Sequence, residues 1–382
     1  MIKNYFKIAW RNLWKHRTFS LIIIVGMAAA FAAAILLSLT AHQELTYDQF
    51  HKSKEHIYQV YLEEHRTNGI ERGSTMPTPL TPALKKEYGD IVHISRYGSG
   101  AGELVRYKEK ELDLTTRAVD PDFLSMFSFP VVAGNKTAPL KELTDVVITE
   151  NCARSLFGTE QAVGKTIEMK VEGEWKAMQV SAVLKNFPDN SSFQFDILTR
   201  FENYPNYQEN MDRWDNSNHE VYIQLDKPVT QASMEKRLPA FSQKYMADKI
   251  KELKRDGAQP DADGQFVRLR LIPLPDMHFT SISNTGAGVN KFYPYLLLII
   301  SAFILFIACV NFVNLSLARS FTRAKEIGLR KVLGALRWQL VAQFWGEAVI
   351  VSVLALSVGI GLAWWLMPYY KSTLYGDRKS VV

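Results

Sequence analysis

Three apolar stretches, each long enough to cross a lipid bilayer, constrain what this chain of 382 residues can fold into. They contain no charged side chain and cover residues 19–40, 292–318 and 348–367. A hydrocarbon core about 30 Å thick needs roughly 20 apolar residues, at a rise of about 1.5 Å per residue. The sequence therefore predicts a membrane protein with helical spans over residues 19–41, 292–318 and 340–368.

Basic residues flank these spans on one side and predict their orientation. Residues 1–18 contain several lysines and arginines but no acid, and residues 319–339 have Glu326 as their one acid among many basic residues. Segments on the cytoplasmic side carry such an excess of lysine and arginine. Both segments are therefore expected in the cytoplasm. Residues 42–291 then lie outside, between spans 1 and 2, and residues 369–382 form an external tail.

The charge balance of the chain follows this division. The formal net charge is +6 and the isoelectric point is about 9.0. Between residues 41 and 291, however, acidic residues outnumber basic ones. The basic isoelectric point therefore comes from segments next to the membrane. It predicts the lipid bilayer as a partner and no nucleic acid.

The first 18 residues have the pattern of an amphipathic helix. One face is apolar and another is basic, with Phe6, Trp10 and Leu13 on the first and Lys3, Lys7, Arg11 and Lys15 on the second. Such helices lie in the membrane interface. The alternative is a cleaved signal peptide, but the apolar stretch that follows is longer than the roughly 7–15 residues of a signal sequence. We expect a basic cytoplasmic helix over residues 1–18 that leads into a retained first span.

No catalytic or cofactor-binding pattern is recognisable in the sequence. It contains no phosphate-binding glycine loop followed by lysine, no Gly-x-Ser-x-Gly and no His-Glu-x-x-His. The histidines His42, His51, His56 and His65 are scattered, without carboxylates or cysteines at metal-ligand spacing, and are expected to be ordinary surface residues. We therefore predict no enzymatic activity, no metal and no cofactor.

Residues 42–291 alternate between strand and helix signals. Residues 165–184 alternate around a central glycine turn, which predicts a β-hairpin. Thr149 and Gly158 suit the N-terminal and C-terminal caps of a short helix, and Pro239 should interrupt a later amphipathic helix. Interleaved strands and helices predict a large α+β domain with two lobes.

The segment between the second and third spans carries the most informative pattern. It reads Arg323-Ala-Lys-Glu-Ile-Gly-Leu-Arg-Lys-Val-Leu-Gly-Ala335. An apolar stripe at helical spacing consists of Leu329, Val332, Leu333, Leu336 and Leu340. Two glycines indicate a bend or the close approach of another surface, because each costs about 1 kcal/mol in a helix relative to alanine. From the residues alone, a simple amphipathic connector and a docking helix for a cytosolic partner both remain open.

The same run resembles the signature of MacB/FtsX-type ABC transporter permeases. Other segments resemble the MacB-like periplasmic core domain, in the family's order: residues 118–130, 147–150, 183–188 and 274–278. The resemblance implies a multi-pass permease subunit of the bacterial plasma (inner) membrane, with residues 42–291 in the periplasm. It also implies that ATP is hydrolysed on a separate cytosolic ABC ATPase.

The resemblance further assigns residues 319–339 to a coupling helix against that ATPase. The residues expected to dock are Arg323, Lys325, Glu326, Gly328, Arg330, Lys331, Gly334 and Ala335. ATP-driven motion would pass through the spans to the periplasmic domain, for efflux, export or extraction from the periplasmic side. Further expected partners are a second copy or second permease half, and a periplasmic adaptor or effector.

Polar residues inside the spans lie near their ends. Asn311, Asn314 and Glu347 are expected to pair with neighbouring helices, since hydrogen bonding between helices is their commonest role. No charged residue lies at the centre of a span, where one would indicate an ion path. The spans thus give no evidence of a pore, and the family resemblance implies that they transmit motion.

Two other functions remain as alternatives. One is an FtsX-like regulator of a periplasmic partner such as a cell-wall hydrolase, and the other is a membrane-anchored periplasmic ligand-binding sensor. Permeases of the MacB type carry a fourth span, which this sequence lacks after residue 368. The chain is therefore expected to be truncated.

Overall fold

A computed structural model describes residues 17–99, 104–282, 288–322, 328–329, 331–334 and 336–375. The predicted basic helix, except for Arg17 and Thr18, and the end of the predicted external tail lie outside the described residues. The chain divides into two compact units. The helical unit comprises residues 1–45 and 291–382, and the α/β unit comprises residues 46–290.

The helices of the described residues are, in chain order, α1 (Arg17–Leu45), α2 (Leu80–Glu87), α3 (Phe123–Met126), α4 (Glu150–Phe157), α5 (Tyr207–Asn210), α6 (Gln231–Glu235), α7 (Leu238–Tyr245), α8 (Ala247–Arg255), α9 (Leu274–Met277), α10 (Tyr293–Thr322) and α11 (Arg337–Tyr375). The strands are β1 (Ile57–Arg66), β2 (Gly69–Gly73), β3 (Thr75–Pro77), β4 (Ile91–Ser99), β5 (Leu104–Tyr107), β6 (Lys110–Asp113), β7 (Thr116–Val119), β8 (Val131–Gly134), β9 (Asp145–Thr149), β10 (Thr166–Val171), β11 (Glu174–Leu184), β12 (Ile197–Arg200), β13 (Ser217–Leu225) and β14 (Val267–Pro273).

Three helices of the helical unit are long and apolar enough to cross a membrane. They are α1, α10 as far as Ala318, and α11 as far as Tyr370. The α/β unit follows α1 in the chain and precedes α10. The predicted fold class, apolar helical spans with a large α+β domain between the first two, is confirmed.

Small residues set the packing of the helical unit, in which α1 contacts both α10 and α11. Ala355, Gly359 and Ala363 recur every fourth position on α11, and both alanines are buried. A Cβ atom at Gly359 would lie 2.9 Å from the carbonyl oxygen of Ala28 and 2.8 Å from Cβ of Phe31. Glycine is therefore required where α11 crosses α1, as in membrane helix pairs that meet along small residues.

One mixed sheet organises the α/β unit. Its strand order is β14-β1-β13-β4-β7-β12-β9-β11-β10-β5-β6, with β2 beside β1, β3 beside β13 and β8 beside β11. Most neighbours are antiparallel, whereas β11 pairs with β9 and β12 pairs with β7 in parallel. The two lobes expected from the sequence thus share one continuous sheet.

Three apolar cores cover this sheet. The first lies between β1, β4, β13, β14 and the helices α2, α6, α7 and α8. The second covers the opposite face with aromatic rings, among them Phe123, Phe127, Phe193 and Tyr222. The third lies between β9, β10, β11 and α4. Consecutive residues in parts of β1 and β13 are buried, so both faces of these strands are covered.

Several local predictions for this unit are confirmed. Strands β10 and β11 form the predicted hairpin, with Val171 opposite Glu174. Thr149 caps α4 by accepting a hydrogen bond from Cys152 N, and Gly158 ends the helix at φ +69°. Pro239 lies in the first turn of α7, where the predicted amphipathic helix is interrupted after α6, and a second interruption at Met246 separates α7 from α8.

Candidate functional sites in the two units

The predicted coupling helix is described only in part. Arg323, Lys325, Glu326, Arg330 and Ala335 lie outside the described residues. Gly328, Lys331 and Gly334 are described, and all three are exposed on the helical unit.

Gly334 ends the helical residues before α11. Leu333 N donates to Leu329 O at 3.0 Å, Gly334 N donates to Lys331 O at 3.2 Å, and Gly334 has φ +90°. That left-handed conformation favours glycine at a helix C-terminus. The next helix begins at once, because Leu336 N donates to Gln339 Oε1 at 3.1 Å. The sequence left two explanations for the glycines, a bend or the close approach of another surface. At Gly334 the left-handed conformation favours the first, a bend in the chain.

The apolar stripe predicted for this segment faces outward. Four of its five residues, Leu329, Val332, Leu333 and Leu336, are exposed, Val332 and Leu333 by 85% and 78%, whereas Leu340 at the start of α11 is half-buried. Soluble surfaces rarely expose contiguous apolar patches, and those that do are commonly interaction sites. We call these four residues the apolar stripe.

The polar residues predicted inside the spans lie in different environments. Asn311 and Asn314 are exposed on α10. Glu347 on α11 is only 9% exposed, and Gln343 Nε2 donates to its Oε1 at 3.3 Å. The pairing observed for Glu347 therefore includes a neighbour one turn away on its own helix.

Hydrogen bonds between the helices come from residues that the sequence analysis did not identify. Ser38 Oγ lies 3.1 Å from Ser301 Oγ, which also donates to Ala34 O at 3.2 Å, and this links α1 to α10. The hydroxyls of Thr40 and Tyr370 lie 2.9 Å apart and link α1 to α11. Serine and threonine are common within apolar helices, so nothing in the sequence distinguished these positions.

Beside Glu347 lies a cavity of about 320 Å³ within the helical unit. Its wall includes Ile23 near the start of α1, Phe312 and Ser316 near the end of α10, and Phe344 and Trp345 near the start of α11. The cavity is thus at the end of the helical unit where the chain enters α1. Among the described residues that line it, Glu347 is the one acid.

Four exposed tryptophans lie along α11: Trp338, Trp345, Trp364 and Trp365. Trp345 is 73% exposed and Trp364 is 79% exposed. At a rise of about 1.5 Å per residue they lie about 28 Å apart along the helix, close to the thickness of a bilayer core. Tryptophans concentrate at membrane–water interfaces. The distance between Trp345 and Trp364 therefore matches the thickness of a bilayer core, and Glu347 lies less than one turn from Trp345.

The first residues of the α/β unit are fastened to the loop that follows β11; we call residues 46–48 the neck. Asp48 N donates to Asn190 O at 3.0 Å, and Asn190 Nδ2 donates to both Thr46 O and Thr46 Oγ1 at 2.9 Å. Ser192 N donates to Asp48 Oδ1 at 2.9 Å. The neck is thus held by side chains as well as backbone.

Asp48 is strained as well as buried. It is 1% exposed and has φ +55°, an uncommon conformation for a residue other than glycine. Burial raises the pKa of Asp48 to about 6, although hydrogen bonds from Ser192 and the charge of His278 act against the rise. Strain of this kind persists only where surrounding contacts enforce it, and it is concentrated at functional positions.

The expectation that His51 is a surface residue is wrong. It is 1% exposed, surrounded by the rings of Phe50, Phe127, Phe129 and Phe193, and accepts a hydrogen bond from Ser128 N at its Nδ1. Burial lowers the pKa of His51 to about 3. Its phenylalanine neighbours are far away in the sequence, so the local pattern around His51 did not indicate an aromatic core.

Comparison with known families supports the resemblance seen in the sequence. The MacB-like periplasmic core domain matches residues 20–241, more than half of the chain. The FtsX-like permease C-terminal domain matches residues 298–381, which include the apolar stripe.

Two curated relatives are similar over much of the chain. The uncharacterized ABC transporter permease YknZ of Bacillus subtilis is 22% identical over 265 residues, which cover 68% of this chain and 58% of YknZ. The macrolide export ATP-binding/permease protein MacB of Bdellovibrio bacteriovorus is 23% identical over 291 residues, which cover 73% of this chain and 40% of that protein. The chain thus spans only part of the length of these relatives.

A solved structure is similar in fold to a large part of the chain. It is the crystal structure of a domain assigned to a permease of Porphyromonas gingivalis, with a TM-score of 0.50 and 20% identity. The similarity covers 58% of this chain and 91% of that domain. The family match over more than half of the chain, with the FtsX-like match that follows it, shows that the chain belongs to the MacB/FtsX family of ABC transporter permeases.

Proposed function

We propose that this chain is a permease subunit that passes ATP-driven motion from a separate cytosolic ABC ATPase to its own α/β unit on the periplasmic side. The observation that carries the proposal is the apolar stripe. Four exposed apolar side chains follow one another at a bend just before α11, in the part of the chain that matches the FtsX-like region. A partner that covers them would gain from removing apolar surface from water.

The proposed orientation follows from charge. Residues 1–18 and 319–339 are rich in lysine and arginine, so we place them, and the apolar stripe, in the cytoplasm. The α/β unit is then periplasmic. This places the proposed ATPase contact and the proposed substrate or effector contact on opposite sides of the inner membrane.

In this proposal the chain performs no chemistry of its own. Its role is to couple two movements: displacement of the segment next to the ATPase, and rearrangement of the α/β unit. The neck supports such coupling because the residues that directly follow α1 are hydrogen-bonded to the loop after β11. That loop precedes β12, which pairs with both β7 and β9 at the centre of the sheet.

We further propose that Asn311 and Asn314 face a second permease half. Both asparagines are exposed on α10, although the residues beside them on this helix are mostly apolar. An amide in hydrocarbon needs a hydrogen-bonding partner, and another helix is the usual one. A second copy of the chain supplies complementary donors and acceptors.

The experiment that tests the coupling proposal is co-purification. Val332→Asp and Leu333→Asp should each reduce, by tenfold or more, the amount of ABC ATPase recovered with the full chain from native membranes. The physical reason is that a carboxylate on a contact surface must be desolvated. Leu143→Asp is a matched control, because Leu143 is an exposed leucine of the α/β unit. Unchanged recovery with both stripe variants, at equal expression, would return the stripe to the role of a simple connector.

A further inference from the structure

The segment between β12 and β13 contacts parts of the α/β unit that are far apart in the sheet; we call residues 201–216 the strap. Its first half lies on β4, where the ring of Tyr204 covers Gly98 so closely that a Cβ atom at Gly98 would lie 2.6 Å from the ring. Its second half lies on the first core, where Trp214 is stacked on Tyr245 of α7 with ring centroids 5.3 Å apart. The strap is thus packed at two separate places.

A third contact joins the strap to the hairpin of β10 and β11, which belongs to the third core. Asn206 N donates to the carboxylate of Glu172 at 2.6 Å. Glu172 and Gly173 form the two-residue turn of this hairpin, since Val171 pairs with Glu174. Both Glu172 and Asn206 are exposed, so the hydrogen bond lies at the surface of the α/β unit.

Both residues of this contact have a backbone conformation that is uncommon for their type. The φ angle is +54° at Glu172 and +55° at Asn206, and only two other described residues apart from glycine have a positive φ. A two-residue hairpin turn with positive φ at both positions prefers asparagine, aspartate or glycine at the first. Glu172 departs from that preference, and its longer side chain is the one that reaches Asn206. Strain of this kind is concentrated at functional positions.

Inside the strap, amide side chains continue the contact. Asn210 Nδ2 donates to Asn206 O at 2.9 Å, and Asn216 Nδ2 donates to Asn210 Oδ1 at 2.7 Å. Asn210 is buried, so these bonds are shielded from water. The hydrogen bonds thus lead from the hairpin turn to the end of the strap, where Trp214 packs on the first core.

We propose that the hydrogen bond between Asn206 and Glu172 is a releasable latch across the α/β unit. When the latch is closed, the strap links the hairpin of the third core to α7 of the first core, although β10 and β13 lie in opposite halves of the sheet. When it is open, the sheet itself connects the two halves and can change its twist. A hydrogen bond at the surface contributes only modestly to stability, so the latch can open while both cores stay folded. This inference concerns the α/β unit and does not depend on the ATPase contact.

Hydrogen exchange of the detergent-solubilised full chain tests the latch. Glu172→Asn keeps a residue that suits the turn, but its side chain is shorter and uncharged. Backbone amides of residues 204–212 should then exchange about fivefold faster or more, while those of β10 and β11 keep their protection. Asn206→Gly is the matched control, because it relieves the same backbone strain and retains the N–H group that donates to Glu172. Exchange in this control should stay close to that of the parent.

Two results of this experiment would overturn the proposal. Equal exchange in the parent and in Glu172→Asn would mean that the carboxylate does not hold the strap. Equally faster exchange in Glu172→Asn and Asn206→Gly would mean that the local conformation matters rather than the hydrogen bond.

A distance measurement tests whether the two halves of the sheet move when the latch is open. Spin labels on Lys170→Cys in β10 and Lys251→Cys in α8 report the separation between the third and first cores. The full chain carries Cys309→Ser to remove the exposed native thiol, and the thiol of Cys152 is buried. Glu172→Asn should broaden or shift the distance distribution relative to the parent. Identical distributions would mean that the strap only frays locally, and this would also overturn the proposal.

Discussion

The ring of Tyr47 is stacked on the imidazole of His278, with centroids 3.6 Å apart and planes 11° apart. Tyr47 is the second residue of the α/β unit. His278 directly follows α9 and lies close to the C-terminal end of the same unit. The first and last parts of this unit therefore meet at one stacked pair. Together with the bonds from Asn190 and Ser192, the pair fixes both chain connections to the same loop.

This arrangement predicts that the hydrogen bonds of Asn190 to the neck stabilise the α/β unit. Asn190→Ala removes two side-chain hydrogen bonds to Thr46 and should lower the free energy of unfolding of the α/β unit by about 1–3 kcal/mol. Thermal unfolding of the detergent-solubilised chain measures it. Asn68→Ala, at an exposed position, should stay within about 0.5 kcal/mol. Equal effects from both variants would mean that the neck bonds contribute little.

Buried histidines predict a loss of stability in acid. The pKa values of His51 and His219 are lowered to about 3 by burial, so the unfolded chain takes up protons first as pH falls. Stability is therefore full above about pH 6.5 and decreases towards pH 3, by up to about 1.4 kcal/mol per pH unit for each histidine. Urea unfolding at several pH values should show His51→Gln with a shallower decrease than the parent. His56→Gln, at a less buried position, should not change the slope.

Asp48 should act in the opposite direction. The pKa of Asp48 in the folded chain is about 6, above the usual value, so the folded state binds this proton before the unfolded state does. Protonation removes the buried charge, and its contribution to stability therefore becomes more favourable as pH falls from about 6 to about 4. Asp48→Asn removes this compensation. The same titration should therefore show a steeper loss of stability below pH 6 in Asp48→Asn than in the parent. An unchanged slope would indicate that Asp48 keeps an ordinary pKa.

Gly359 and Gly361 form a matched pair for testing how α1 and α11 pack. A Cβ at Gly359 meets Ala28 and Phe31 below 3 Å, whereas a Cβ at Gly361 has no heavy atom within 4 Å among the described residues. Gly359→Leu should thus separate the helices and lower the melting temperature of the detergent-solubilised chain by several degrees. Gly361→Leu should leave it almost unchanged. Identical melting of the two variants would argue against this crossing.

Neutralising one partner of the buried ion pair between Arg96 and Asp120 should destabilise the protein far more than the same change in an exposed ion pair. Arg96 Nε donates to Asp120 Oδ2 at 2.9 Å, and the guanidinium also lies 4.1 Å from the ring centre of Phe201. Asp120→Asn leaves the buried guanidinium of Arg96 without its carboxylate. It should lower the free energy of unfolding by about 3–5 kcal/mol. Asp215→Asn, in the exposed pair with Arg213, should have little effect on stability, because water and salt screen an exposed ion pair. Chemical denaturation compares the two.

Local patterns in the sequence predicted what depends on neighbours in the chain. The hairpin of β10 and β11, the caps Thr149 and Gly158, and the interruption at Pro239 all follow from residues a few positions apart. The apolar stretches predicted the long helices for the same reason.

What the sequence did not reveal depends on distant partners. Asp48 meets Asn190 and Ser192 across the fold, and His51 is buried by Phe127, Phe129 and Phe193. Neither residue has a local signal that separates it from an exposed one. The predicted coupling residues remain a prediction, and what the structure adds there is the outward direction of the apolar stripe.

The tryptophans of α11 limit the kind of movement that this helix can make. In the membrane orientation that we propose, Trp345 and Trp364 lie near opposite boundaries, so a displacement along the helix axis would pull one indole into hydrocarbon while pushing the other into water. Tilting or rotation in the membrane plane moves neither ring far from its boundary. A helix with an interfacial tryptophan near each end can therefore tilt or rotate, but translation along its own axis is unfavourable.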